Sequence, residues 1–316
     1  MRTPRVVITH RVHPQVTQLL SEHADVIANE SVEPWPRDLL LKHSRSADAL
    51  MVFMPDSFDS VFLDQCPHLK IIAAALKGYD NFDVEACRRR SIWFTIVPDL
   101  LTEPTAELAL ALLLGLARNT QKGDELIRTG RFAGWRPILY GTSLIGSTVG
   151  LIGYGAVGRA FARLISGFQC RVVWNDVQPG GDPLERVVAQ SDFLLLLLPL
   201  TSETFHLVNA GLLARTKPGA YLINVGRGSV VDEEAVADAL ESGHLAGYAA
   251  DVFEMEDWRR RDRPQSISDR LLRCPARTLF TPHLGSATEA TRLEIERTAA
   301  LDIIEALRGN RPSNAL

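Results

Sequence analysis

Cysteine is scarce: Cys66, Cys87, Cys170 and Cys274 lie far apart in 316 residues. No CxxC pair or Cys/His cluster joins them, which argues against a disulfide framework and against a zinc site, and no other metal site is expected. A reducing, cytoplasmic setting fits. Long apolar runs are also missing. The longest, Leu108–Ala117 and Phe193–Leu198, fall short of the about 18–20 residues that cross a bilayer, so no membrane partner is expected. The opening MRTPRVVITH runs straight into a strand-like segment, without the apolar core and cleavage site of a signal peptide. Charge of one sign is not in excess either, with 34 basic and 38 acidic residues giving −4. No basic tract is available to grip a phosphate backbone, so nucleic acid is not an expected partner. Internal repeats, low-complexity segments and Gly/Ser linkers are absent.

What is present is a globular composition, 46% hydrophobic and 23% charged. At roughly 100–200 residues per domain, the length predicts two domains. The first hundred residues alternate β-rich runs (RVVIT, ADVIA, ALMVF, KIIAAAL, IWFTIV) with segments of helical period at Pro14–Ser21 and Phe58–Cys66. Thr102-Glu103-Pro104-Thr105 then starts a helix apolar on almost every face, which predicts burial between layers. From Ser147 a second series begins: STVGLIG, a helix from Ala156, CRVVWN, a helix from Pro183, FLLLLLP, YLINVG, LAGYAAD and RTLFTPH. Continuous apolar strands separated by helices indicate a parallel sheet covered on both faces. The last segment, Ser286–Leu307, again has helical period. If it packs on the first unit, that domain is built from both chain ends and the second is inserted in it.

Gly153-Tyr154-Gly155-Ala156-Val157-Gly158 follows the strand TVGLI and opens a helix, the context in which GxGxxG binds a dinucleotide. The first glycine allows the tight turn, the second lets pyrophosphate approach the backbone, the third permits close helix packing, and the helix N-terminus favours the anion. An accidental glycine turn is the alternative. Asp176 ends the next strand, 18 residues after Gly158, where a carboxylate accepts hydrogen bonds from the adenosine ribose and repels a 2′-phosphate. That predicts NAD, unless Asp176 merely caps its strand.

Three polar residues follow three later strands: Arg227 after YLINVG, Glu256 after AGYAADVFEM and His283 after TLFTP. The carboxyl ends of parallel strands are where open α/β sheets bind ligands. Arginine holds an anion bidentately, histidine exchanges protons near neutral pH, and a carboxylate orients that histidine. Singly, each could instead be a surface cation, a solvated charge or a satisfied loop histidine.

Through GLIGYGAVGRA, INVGRGSVVDE, GYAADVFEMED and LFTPHLGSA, the chain resembles the D-2-hydroxyacid dehydrogenase family over nearly its whole length. The resemblance implies an α/β fold in which a Rossmann-type doubly wound parallel sheet, residues 100–286, is inserted into a smaller flavodoxin-like α/β substrate domain, residues 1–99 plus 287–316. It also implies a homodimer with Arg227, Glu256 and His283 catalytic in an interdomain cleft. Thr105, Leu198, Pro199, Val225, Gly226, Asp251 and Gly285 would join the glycine turn and Asp176 in holding the cofactor.

A narrower resemblance, to the phosphonate (phosphite) dehydrogenases, rests on ITHRVH, FMPDSFD, ALKGYDNFDVEAC, VPDLLTEPTAELA, FEMEDWRRRDRP and LGSATEATRLEIER. It implies phosphite + NAD⁺ + water → phosphate + NADH. Such a small anion without a carbon tail needs several cations, which Lys77 beside Gly78, Arg227 and Arg292 would supply, with Met54, Trp135 and Tyr140 lining the pocket. His283, oriented by Glu256, would activate water, while Arg227 could act chiefly by charge stabilisation. Met54, Trp135 and Tyr140 could equally be core residues and Arg292 an exposed helix cation. Two departures stand out. Val225-Gly226 precede Arg227 where the phosphonate dehydrogenases carry a cysteine, and only 15 residues separate Asp176 from Asp192, too few for the extra strand plus helix of relatives. The adenine side should therefore be more open. The rival readings are a dehydrogenase of D-2-hydroxyacids or the matching 2-ketoacids and, last, a nucleotide-sensing corepressor-like protein.

Overall fold

A computed structural model describes residues 2–316. The chain divides into two units, the first made of residues up to Leu101 with Trp258–Arg261 and Ala287–Leu316, the second of Thr102–Asp257 and Asp262–Ser286. The second unit therefore starts two residues after the expected boundary at 100 and gives up Trp258–Arg261. A segment's allegiance is set by its contacts in space, which its sequence neighbours do not specify.

In the first unit the strands are β1 (Arg5–Ile8), β2 (Asp25–Ala28), β3 (Ala49–Val52), β4 (Ile71–Ala74) and β5 (Trp93–Thr95), and the helices α1 (Pro14–Ser21), α2 (Arg37–Ser44), α3 (Ser60–Leu63) and α4 (Val84–Arg89). The sheet is parallel throughout, in the order β2-β1-β3-β4-β5. Every residue of β3 and β4 is buried, as expected of strands covered on both faces. α2 and α4 have no counterpart among the expected helices. Both are short and mostly polar, so hydrophobic period gives them little signal. α4 depends instead on its cap, where Asp83 accepts from the Ala86 amide at 2.9 Å.

The second unit contains α5 (Thr102–Ala117), α6 (Thr120–Arg128), β6 (Thr148–Ile152), α7 (Ala156–Leu164), β7 (Arg171–Asn175), α8 (Leu184–Gln190), β8 (Phe193–Leu196), α9 (Ala210–Leu213), β9 (Ala220–Asn224), α10 (Glu233–Glu241), β10 (Leu245–Ala250), α11 (Asp269–Leu272) and β11 (Thr278–Phe280). Its parallel sheet has the order β11-β10-β9-β8-β6-β7, so β7 is an edge. Side chains alternate between two apolar layers: Leu195 and Ile223 pack with Leu113 of α5 and Phe161 of α7, while Leu194, Leu196 and Leu222 pack with Val187 of α8 and Val236 of α10. Each fully buried leucine of this kind contributes about 1.5–3 kcal/mol. No helix among the described residues is long and apolar enough to cross a membrane.

The final helix, α12 (Glu289–Leu307), belongs to the first unit, where Ile295, Ala299 and Ile303 share an apolar layer with Val16, Leu20, Met51 and Ala73. A polar tie supplements it. His13, which precedes α1, bonds through Nδ1 to Glu296 at 2.7 Å and through Nε2 to Glu289 at 3.1 Å. The bond to Glu296 raises the His13 pKa above its ordinary 6.5, against a smaller opposing effect of burial. A raised folded-state value gives stability that is fully present below pH 6.5 and is lost as pH rises through it. The melting temperature of His13→Asn should accordingly lie furthest below the natural protein's near pH 6, and thermal melts should find the gap narrowing as the medium becomes alkaline.

Candidate active site

The glycine turn links β6 to α7. Gly153 has φ +99°, and a Cβ there would lie 2.7 Å from the Leu197 carbonyl, so only glycine fits. At Gly155 a Cβ would meet nothing within 4 Å, leaving the backbone open in front of α7. Gly155 sits at the helix N-cap without a side-chain cap, so the first-turn amides of Ala156 and Val157 face outward as anion donors. Gly158 packs against the Gly153 carbonyl. Asp176 spans back to this turn. Its Oδ2 accepts from the Tyr154 amide at 2.6 Å and its Oδ1 from Gln178 at 2.9 Å. Asp176 thus does cap its strand, yet each carboxylate oxygen retains a second lone pair for a ribose hydroxyl. These features together fit a dinucleotide.

The segment after β7 folds back on the end of that strand. Trp174 stacks on Tyr154 with centroids 4.4 Å apart, Gly181 lies against the other aromatic atoms of Trp174, and the Asp182 amide donates to the Trp174 carbonyl at 2.8 Å. Across the sheet, Leu198 and Pro199 follow β8, and the Pro199 carbonyl accepts from Thr204 Oγ1.

Arg227, Glu256 and His283 come from the ends of β9, β10 and β11, neighbours in the sheet. Buried Asn224 shapes the Arg227 segment, accepting from the Gly226 amide and donating to the Arg227 carbonyl, at 3.1 and 3.0 Å. Val225 is buried beside it. Gly228 lies so close to Phe253 that a Cβ would sit 1.9 Å from its carbonyl carbon. Two buried glutamates fasten the same pair of segments: the Glu233 amide donates to Glu254 and the Glu254 amide to Glu233, at 3.2 and 2.9 Å. Burial raises the Glu233 pKa.

His283 Nδ1 lies 2.5 Å from Glu256 Oε2, and Glu256 Oε1 accepts from the Phe253 amide at 2.8 Å. With the carboxylate ionised, Nδ1 carries the proton and Nε2 is left to exchange one with a ligand. The histidine holds φ +55°, a conformation that a non-glycine residue adopts at a cost unless its surroundings fix it. Asp251 fixes it. Its carbonyl accepts from the His283 amide, and its carboxylate accepts from Thr281 Oγ1, the Leu284 amide and the Gly285 amide at 2.6, 2.7 and 2.8 Å. Burial raises the Asp251 pKa, opposed by these bonds. Asp251, expected at the cofactor, is thus engaged in building the His283 loop, with Thr105 of α5 packed beside Gly285. Asn224, Glu233, Glu254 and Thr281 were not among the expected residues. Their roles come from pairings across the fold that no local motif signals.

Other expected residues are placed differently. Trp135 and Tyr140 are 83% and 78% exposed on the irregular segment after α6, so neither is a core residue. Met54, in the first unit, packs partly against the apolar layer containing Phe58. Lys77, next to Gly78, forms an ion pair with Asp99 at 2.9 Å. Arg292 is half-buried on α12, its guanidinium 5.6 Å from the Phe53 ring centroid. It is therefore no freely exposed helix cation.

A parallel sheet with a glycine turn, a carboxylate at the next strand end and a histidine–carboxylate pair defines a dinucleotide-dependent oxidoreductase. Comparison makes this specific. The family profile "D-isomer specific 2-hydroxyacid dehydrogenase, NAD binding domain" matches residues 110–285. Glyoxylate reductases of Pyrococcus furiosus and Thermococcus onnurineus are 36% and 34% identical to the chain, each match covering 98% of it and 94% of the relative. Among solved structures, the TT0316 protein of Thermus thermophilus superposes with a TM-score of 0.90 at 34% identity, covering 99% of both chains. An NADPH-dependent glyoxylate/hydroxypyruvate reductase of Sinorhizobium meliloti, in complex with NADP and malonate, gives 0.84 at 29%, covering 100% of this chain and 97% of that one. The chain belongs to the D-isomer specific 2-hydroxyacid dehydrogenase family, and its second unit is an NAD-binding domain.

Asp251→Asn puts a donor where an amide or hydroxyl now donates. It should cost about 1–3 kcal/mol of stability, and kcat should fall more than that loss explains because the His283 loop is freed. Denaturant melts and steady-state rates on one preparation check both.

Proposed function

We propose that the protein interconverts a small oxyanion and its oxidised or reduced partner, Arg227 binding the anion and His283 exchanging the proton. The observation that carries this is the 2.5 Å contact between His283 Nδ1 and Glu256, which orients the imidazole and leaves Nε2 for a ligand. Bound NAD supplies the hydride acceptor or donor. Arg227 would steady negative charge developing on the substrate oxygen, a contribution whose removal costs about 100–1,000-fold in rate.

Relatives named glyoxylate reductase support a 2-ketoacid, or the matching D-2-hydroxyacid, as substrate. In that direction Nε2–H of His283 gives its proton to the carbonyl oxygen as hydride arrives. A second reading is phosphite oxidation, favoured by Lys77 and Arg292 in the first unit and by Asp257-Trp258 after Glu256. There His283 accepts a proton from the attacking water, a P–O bond forms, and the P–H bond yields its hydride. Lys77 and Arg292 would add their charge to the hold on the anion.

Purified protein should oxidise NADH with glyoxylate or hydroxypyruvate on the first reading, and form NADH from NAD⁺ with phosphite on the second. Turnover of only one class eliminates the other, and Arg227→Ala should slow either about 100–1,000-fold. A homodimer belongs to the same reading. The exposed Ile127, Phe132, Trp135 and Tyr140 support it, because monomers rarely show clustered large apolar side chains to water. Sedimentation should find a dimer that Phe132→Asp with Trp135→Asp converts to monomer.

A further inference from the structure

We infer that Glu296 is a positioning residue, holding the Arg292 guanidinium ready for the substrate anion without touching substrate itself. This rests on the reading that Arg292 helps to bind the anion.

Glu296 is 3% exposed on α12, one turn beyond Arg292. A carboxylate so deeply buried is costly unless each oxygen is matched. Its Oε2 accepts from the His13 amide at 2.9 Å and faces His13 Nδ1 at 2.7 Å. Its Oε1 faces Arg292 Nη2 at 3.6 Å. Tying α1 to α12 engages only Oε2, where the negative charge also favours the His13 imidazolium. Oε1 is left to face the guanidinium.

The surroundings narrow the alternatives. β3, β4, β5 and α1, which pack on α12, carry no titratable side chain. The guanidinium also lies over the Phe53 ring. That ring is flanked by His10, at a centroid distance of 5.5 Å, and the Phe53 amide donates to Asp56, which also accepts from Thr9 Oγ1. Asp56 is thus occupied by donors of its own, and Glu289 binds the outer nitrogen of His13. Arg292 thus has an aromatic ring and one carboxylate oxygen, Oε1 of Glu296, as its neighbours. Fixing a long side chain before the ligand arrives removes an ordering cost otherwise charged to binding.

A double-mutant cycle tests this, using whichever of glyoxylate and phosphite the natural protein turns over. Arg292→Gln should raise the substrate KM at least tenfold. Glu296→Gln, which keeps shape and loses charge, should raise it about tenfold while kcat and the KM for NAD change little. In the Arg292→Gln background, Glu296→Gln should add no further change, because residues acting through one another are not additive. If Glu296→Gln leaves KM alone, raises the NAD KM equally, or multiplies with Arg292→Gln, the inference is overturned and the reading of Arg292 stands. An unchanged KM in Arg292→Gln removes that reading, and the inference with it. Should Glu296→Gln not fold, Glu296→Asp retains charge at shorter reach and should give an intermediate KM, an unaltered one counting against the proposal.

Discussion

A buried carboxylate with three donors closing on it governs the geometry of the site. Asp251 ends β10, and the chain leaving β11 wraps around its side chain through Thr281, Leu284 and Gly285. That wrapping brings His283 into a left-handed conformation it would not choose alone and turns its ring to Glu256. An ionised carboxylate in an apolar layer is costly, and backbone donors offset the cost only when the loop is closed. Loop closure and burial of Asp251 are therefore one event.

The Arg227 side of the site follows the same logic with different groups. Asn224 shapes the turn from beneath, Gly228 allows the chain to lie against Phe253, and the Glu233–Glu254 exchange ties the two segments at a distance from the reacting groups. Arginine and glutamate thereby reach neighbouring strand ends on supports whose polar groups are matched by one another and by backbone amides. Rigid strands set the coarse positions, and buried polar groups refine them.

Much of this was legible in the sequence because the strands are continuous apolar runs and the glycine turn occurs between a strand and a helix. Arg227, Glu256 and His283 were legible as residues following strands. What escaped was long-range. α2 and α4 carry weak hydrophobic period, Trp258–Arg261 group with the first unit, and the part Asp251 plays in building the His283 loop was hidden because its partners lie about thirty positions later. Trp135 and Tyr140 show the converse: apolar composition indicates a wish to be covered but not by what, and here both stand exposed.

Beyond β7 the parallel sheet of the second unit ends in an open edge. Bare edges of parallel sheets recruit other chains. Here the short return from Asp176 to Pro183 occupies that position: the Asp182 amide takes the Trp174 carbonyl, Asn175 Nδ2 donates to the Asp182 carbonyl, and α8 packs back over β6 and β7. The fifteen residues between Asp176 and Asp192 thus cover the edge by local folding, shielding the six-stranded ladder against intermolecular strand addition.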